Sequence, residues 1–251
     1  MRVAVIIPTL DDDAALQRLI SRLGHLDPAP DDVLVVDGAA SRTCEALCRG
    51  AGALWLPAHP SRGGQLALGA ARAQAEVLWF LPADCEPHGA SIPAIRGSIE
   101  AGAAGGYFRF HFGGAPNRTK RLLERCIAFR SRWGMVYGDQ GLYVTRSAYE
   151  ATLGFTVQPL FEQVALVRAL KRTGHFAALP VPITVSPRRW ERDGFLRRTL
   201  ANRMLALAFL CGASPARLAR WYGGRLRPAP AGYGSRSGRR TRSGGHEAHK
   251  G

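Results

Sequence analysis

The sequence predicts an α/β fold in which a mostly parallel central sheet is flanked by helices and followed by a helical C-terminal segment. Three observations carry that expectation. Short β-branched runs alternate with segments of helical periodicity through the first half of the chain, and strands buried on both faces read as such continuous apolar runs. The runs stop at Pro or at an aspartate-bearing turn. The chain has 251 residues, 46% of them apolar, enough for one large core in a single domain.

Taken in order, Arg2 to Ile7 (RVAVII) is the first buried strand, and Pro8 ends it. Asp11, Asp12 and Asp13 follow, and acidic side chains are favourable in the first turn of a helix, which Ala14 to Leu23 continues. Val33 to Val36 is a second strand, ending at Asp37-Gly38, with a helix from about Arg42 to Arg49. A short strand at Ala53 to Leu56 and a helix from Gly63 to Ala75 lead to Val77 to Leu81, a strand closed by Pro82-Ala83-Asp84. Strands alternating with helices at this pitch imply a parallel sheet with helical crossovers. Beyond it come a helix at Ile92 to Ala101, an alternating strand at Gly106 to Phe112 and a helix at Arg118 to Trp133. A strand at Leu142 to Val144, a helix at Leu160 to Thr173 and short strands near Phe176 and Ile183 follow. Arg188 to Cys211 reads as one long basic amphipathic segment, before a last helix at Pro215 to Tyr222.

Residues 1–227 form the expected domain. From Pro228 to Gly251 the chain is almost entirely Pro, Gly, Ala, Ser, Arg and His, a composition that cannot offset ordering entropy, so a disordered basic tail is expected. The net charge of +15 suits anionic partners such as a nucleotide diphosphate or an acidic membrane face. Nucleic acid is not expected, because the basic residues are scattered rather than interleaved with aromatics on one surface. The five cysteines lack paired spacing. Cys44 and Cys48 share a helix face, where buried reduced thiols are the expectation over a metal pair. No signal peptide or membrane-spanning run is visible, so a cytoplasmic location is expected, with contact at the inner face of the membrane as a further option.

In an α/β sheet, ligands bind beyond the carboxyl ends of the strands, where Asp37 and Asp84 both fall. The absence of GxGxxG after the first strand excludes a dinucleotide-binding oxidoreductase.

Several pieces, in this order and spacing, resemble the family 2 glycosyltransferases, and in particular the small bacterial branch called radical-SAM/selenodomain-associated transferase 2. They are IIPTLDD (Ile6 to Asp12), VVDG (Val35 to Gly38), SRGGQLALGAA (Ser61 to Ala71), LWFLPADC (Leu78 to Cys85), YGDQGLYV (Tyr137 to Val144), PLFEQVAL (Pro159 to Leu166) and the stretch from Arg188 to Tyr222. The resemblance covers about residues 2 to 222. It implies a Rossmann-like GT-A fold and transfer of a sugar from a nucleoside diphosphate sugar to an acceptor, with inversion.

On that resemblance, Pro8 and Asp37 belong to the nucleotide site, Asp37 meeting the base or ribose with a carboxylate that accepts two donors. Helix capping is the alternative for it. Asp84 stands where the family keeps the last carboxylate of its DXD-like motif and would hold Mg²⁺ or Mn²⁺. Here it is alone in Ala83-Asp84-Cys85. Arg62 and Gln65 open a helix whose N-terminus favours phosphate, and Gly63 and Gly64 would let backbone approach a ligand. Arg188, Arg189 and Trp190 would clamp the diphosphate, the arginines by charge and Trp190 from behind.

The sharpest departure is Gln163. Relatives carry there the acid that deprotonates the acceptor, and an amide cannot do so. Glu162 is the expected replacement, with Asp139 as the alternative. A non-catalytic sugar-nucleotide-binding relative is the competing reading. The basic helix after Arg188 is expected to pack on the sheet and expose its arginines, with an anionic membrane face as the alternative.

Overall fold

The computed structural model describes residues 1–222 apart from Gly134, and leaves out the side chains of Thr173, Arg189 and Tyr222. The expected tail at 228–251 and the last residues of the 1–227 domain lie outside the described residues. Eight strands form one sheet in the order β3-β2-β1-β4-β7-β6-β8-β5. They are β1 (Val3–Thr9), β2 (Asp32–Asp37), β3 (Leu54–Pro57), β4 (Val77–Phe80), β5 (Cys85–Pro87), β6 (Ala103–Phe112), β7 (Tyr143–Thr145) and β8 (His175–Val185). Only β5 and β7 run against the other six, so the sheet is mostly parallel, as expected.

Helices cover both faces. Between β1 and β4 lie α1 (Asp13–Gly24), α2 (Arg42–Gly50) and α3 (Arg62–Arg72); α4 (Ser91–Glu100), α5 (Arg118–Arg132), α6 (Arg146–Glu150) and α7 (Val164–Thr173) follow. One core layer joins Val3, Val5 and Ile7 to Leu16, Leu19, Cys44 and Ile92. The other joins Ala4 and Ile6 to Leu66, Ala70, Leu166 and Leu170. This alternation along β1 is the period of two that lets one strand feed two layers. Cys44 and Cys48 are buried on α2, and burial pushes both thiols up in pKa. They are structural thiols.

The structure corrects the sequence reading at several elements. Strand β5 and helix α6 had no expected counterpart. The two expected strands near Phe176 and Ile183 are one strand, paired with β6 across a register shift between Phe108 and Arg109. Helix α7 begins at Val164, not Leu160, because Phe161 adopts a left-handed backbone (φ 62°) that no helix continues through. The long basic segment is broken at Gly194 (φ 82°) into α8 (Arg188–Asp193) and α9 (Phe195–Leu210), with α10 (Pro215–Tyr222) after them.

Helix α3 approaches the sheet unusually closely. A Cβ on Gly69 would collide with Ile6 Cγ2 and lie 3.2 Å from Val36 Cγ2. Both are buried β-branched side chains with stiff rotamers. In an exposed helix Gly→Ala stabilises by about 1 kcal/mol. Gly69→Ala is expected to reverse that sign and destabilise by about 1–3 kcal/mol through overpacking, measured by denaturant unfolding. A stabilised variant would show that α3 can retreat from β1.

Candidate active site

The strand order reverses between β1 and β4, and at such a switch point the loops diverge and leave a crevice. A narrow pocket of about 10 Å³ opens there, lined by Pro8 of β1, Phe80 and Pro82 around the end of β4, Arg62 of α3, and Glu162 and Gln163 before α7. Thus Pro8 and Arg62 stand where the sequence placed them, and both residues of the Glu162-Gln163 pair face the same space.

Arg62 is the central cation. Ser61 caps its helix by accepting from Gly64 N–H. Arg62 Nε lies 3.0 Å from Glu162 Oε1, with the arginine half exposed and the glutamate buried. On its other side is the turn Gly138–Gln140, where a Cβ on Gly138 would sit 2.9 Å from Arg62 Nη2. A Cβ on Gly63 would overlap the carbonyl oxygen of Thr156. That glycine therefore admits the chain's own loop, where the sequence reading had it admit a ligand.

The Gly138–Gln140 turn is rigidly built. Gln140 is buried and its Oε1 accepts from Ser131 Oγ at 3.0 Å and from Tyr137 N–H at 3.3 Å. Gly141 follows with φ 59°, a left-handed turn that glycine takes without steric cost. Asp139 Oδ1 is enclosed and has no hydrogen-bond partner among the described residues. Burial pushes its carboxyl up in pKa, the positive charges of Arg130 and Arg62 oppose that, and the negative charge of Asp84 adds to it. Asp139, Asp84 and Arg62 are thus electrostatic neighbours. Arg130 is itself drawn down by burial. Its guanidinium lies 3.8 Å from the Tyr137 ring centre, and its Nη1 donates to Met135 O at 2.6 Å.

Asp84 sits at the bend between β4 and β5, where its carbonyl accepts from Ser186 N–H at 3.2 Å. It borders a groove of about 820 Å³ that also takes in Asp12, Arg18, Ser186 and Arg188. The start of α8 is therefore beside the Asp84 carboxylate, with the Arg188 side chain exposed. Arg189 is on the same helix, and its side chain lies outside the described structure.

Two sequence-predicted site residues, Asp37 and Gln65, turn to the chain's own backbone. Asp37 is buried, and its carboxylate accepts from Ala39 N–H (2.9 Å), Ser41 N–H (2.7 Å) and Trp55 Nε1–H (3.3 Å). It organises its own loop, while Ser41 is the cap of α2. Gln65 is buried as well, its Nε2 donating to Thr9 O at 2.8 Å and Val36 O at 2.7 Å, so it ties the ends of β1 and β2 together. Trp190 packs edge-on against Phe112 at 5.0 Å between centroids, which is the supporting position behind the arginines and away from the cleft. The sequence reading missed Arg130 and Tyr137. Their available signal was the single arginine of α5 that falls on the inward side, among outward-facing ones at helical spacing.

This cleft, on a doubly wound sheet, is the GT-A arrangement. The model of glycosyl transferase family 2 matches residues 4–148, more than half the chain, and the chain belongs to that family. No curated protein shows significant sequence similarity to it. Among solved structures, glucosyl-3-phosphoglycerate synthase from Mycobacterium tuberculosis in complex with phosphoglyceric acid is similar in fold. Its TM-score is 0.58 at 19% identity, over 84% of this chain and 80% of that one. The same synthase in complex with Mn²⁺ and UDP-glucose matches with a TM-score of 0.57 at 18% identity, over 84% and 79%.

Replacing Gln65 by Leu leaves two buried carbonyls at the strand ends without their donor. Each such group costs about 1–3 kcal/mol, so Gln65→Leu is expected to lower the melting temperature by several degrees. A variant as stable as the parent would mean that water replaces the amide.

Proposed function

We propose that this family 2 chain moves a sugar from a nucleoside diphosphate sugar to a hydroxyl acceptor, with inversion at the anomeric carbon and with a divalent cation. The observation that carries this reading is the placement of Arg62 and the Gly138–Gln140 turn around one pocket at the switch point, where the charges of Arg62 and Asp84 both act on Asp139. Arg62 lines the pocket with Gly138 of the Asp139 turn, Asp84 borders the adjoining groove, and one oxygen of Asp139 has no hydrogen-bond partner among the described residues. The structural likeness to a synthase solved with Mn²⁺ and UDP-glucose supports a uridine diphosphate sugar as the donor class. The order of the motifs and the lone carboxylate of Ala83-Asp84-Cys85 support placement in the radical-SAM/selenodomain-associated transferase 2 branch.

The donor set fits Mg²⁺ or Mn²⁺. Both take oxygen ligands, and Mg²⁺ is usually held by one or two carboxylates together with substrate phosphates and water. Among the described residues no group of three or more His, Cys, Asp or Glu side chains could form a complete cage, so Asp84 would share the ion with the diphosphate. Bound there, the ion supplies neutralisation of the charge that develops on the leaving diphosphate.

The chain's own residues supply the rest. The acceptor oxygen attacks the anomeric carbon opposite the diphosphate, the bond to the diphosphate oxygen breaks with its electron pair, and the hydroxyl proton passes to a carboxylate. Glu162 gives an oxygen to Arg62, whereas Asp139 keeps one without a partner. Asp139 is therefore assigned as the base, and Glu162 as the residue that positions Arg62 for the diphosphate. Arg188, at the start of α8, adds positive charge on the groove that Asp84 borders. Asp37 and Gln65 act indirectly, holding the loops on which the nucleotide rests.

UDP with Mn²⁺ at a hundredfold excess over its dissociation constant should stabilise the protein by about 2.7 kcal/mol, and Asp84→Asn should remove the Mn²⁺-dependent part of the thermal shift. An unchanged shift in that variant places the ion elsewhere. Asp139→Asn should cut kcat by ~10²- to 10⁴-fold with little change in UDP affinity. Glu162→Gln should chiefly raise the KM for the donor by releasing Arg62. The opposite pattern returns the base to Glu162. Transfer that emerges only in Gln163→Asp would make the natural chain a binding relative.

A further inference from the structure

The outward face of α9 is apolar. Leu196, Leu200, Met204, Leu207 and Leu210 recur at helical spacing and are 76%, 62%, 51%, 62% and 53% exposed. They form one stripe along a helix of 16 residues, about 24 Å long. The inward face is apolar too. Phe195 packs on Phe112 at 5.7 Å, Leu205 is buried, and Phe209 stacks on Phe161 at 4.5 Å. The sequence expectation of a packed helix exposing arginines holds for Arg197 and Arg203, but the exposed face also carries leucines that it did not foresee. Arg198 turns inward, over the Trp190 ring at 5.5 Å. A helix that presents a row of large apolar side chains on its free side as well needs a second apolar phase there.

The charge around the stripe identifies that phase. Arg197 and Arg203 are exposed within it, Arg217 and Arg220 are exposed on α10 beside an exposed Trp221, and no acidic residue occurs between Gly194 and Tyr222. From Gly194 to the C-terminus there are twelve basic residues against Glu247 alone, which is +11 of the chain's +15. A second copy related by a two-fold axis would set these arginines against one another. Residues 223–251 offer only Leu226 and Tyr233 as large apolar side chains and would add like charge. No described helix is long and apolar enough to cross a membrane.

We propose that α9 docks flat on an anionic membrane surface, its leucines entering the boundary between headgroups and acyl chains and its arginines meeting lipid phosphates. The Phe209–Phe161 stack places this face about one helix diameter, ~10 Å, from the loop that carries Glu162. Docking therefore brings the cleft to the lipid surface.

The test is co-sedimentation of the full chain with vesicles of phosphatidylcholine containing 30% phosphatidylglycerol, against pure phosphatidylcholine, at low and high salt. Binding is expected to the anionic vesicles, to fall with salt, and to drop at least tenfold in Leu200→Gln/Leu207→Gln. That variant should keep the parent melting temperature, because both side chains are already exposed. Arg197→Gln/Arg217→Gln should weaken binding while leaving the helix intact. Equal binding to neutral vesicles, or full binding by the leucine variant through its arginine-rich C-terminal residues alone, overturns the proposal. So does a parent that sediments as a dimer and becomes monomeric in the leucine variant, which would assign the stripe to a second copy.

Discussion

The architecture depends on how closely helix α3 lies against its neighbours. Gly69 lets it press onto Ile6 and Val36 of the sheet. One turn earlier Gln65 reaches both strand ends, Thr9 and Val36, through a single amide. At its start Gly63 admits the Thr156 carbonyl, and Arg62 meets Glu162. Successive turns of one helix thus fix the sheet, the switch point and the loop of the second half. The glycines of SRGGQLALGAA weaken the helix by propensity. What they provide is proximity, which larger side chains would prevent and which brings a guanidinium to the cleft at a defined position.

The electrostatics of the cleft follow from that placement. Asp139 is half-buried in a turn held by Gln140, with its Oδ1 enclosed, and burial alone would disfavour its charge. Arg62 and Arg130 oppose the penalty from two sides, yet neither hydrogen-bonds its free oxygen. A carboxylate in this condition is poorly satisfied by the chain's own donors. It gains by acquiring a proton or by approaching a cation, and both occur in a metal-assisted displacement. Perturbed carboxylates of this kind also arise in purely structural networks. Here the neighbouring Asp84, at the carboxyl end of β4, favours the chemical role.

Much of the frame was legible in the sequence because it is locally encoded. Val3 to Ile7, Val33 to Val36 and Val77 to Phe80 are continuous apolar runs with terminators, and each became a strand of the parallel half. What escaped is set by distant partners. Cys85–Pro87 is a strand only because Val185, Thr184 and Ile183 pair with it, and three residues carry no periodicity of their own. The break at Gly194 was available to inspection, but the apolar spacing runs across it and concealed the change of direction. In the site, residue identity was readable and side-chain direction was not. Asp37 and Gln65 stand at the expected strand end and helix start, yet their polar atoms turn inward, to N–H donors and carbonyls contributed by other segments.

That distinction bears on the unusual Glu162-Gln163 pair. Gln163 is buried beside Glu162 at the start of α7, and both border the cleft with Arg62. A second acid at 163 would put two carboxylates side by side in a low-dielectric setting, with Arg62 in an ion pair with Glu162. The amide removes that repulsion and leaves Glu162 free to commit to Arg62. Under the proposed mechanism, proton acceptance would then fall to Asp139, whose Oδ1 has no hydrogen-bond partner among the described residues. The amide at 163, the Arg62–Glu162 ion pair and the unpartnered Asp139 oxygen fit the proposed mechanism as one arrangement, in which the holding of Arg62 and the role of base would fall to different loops.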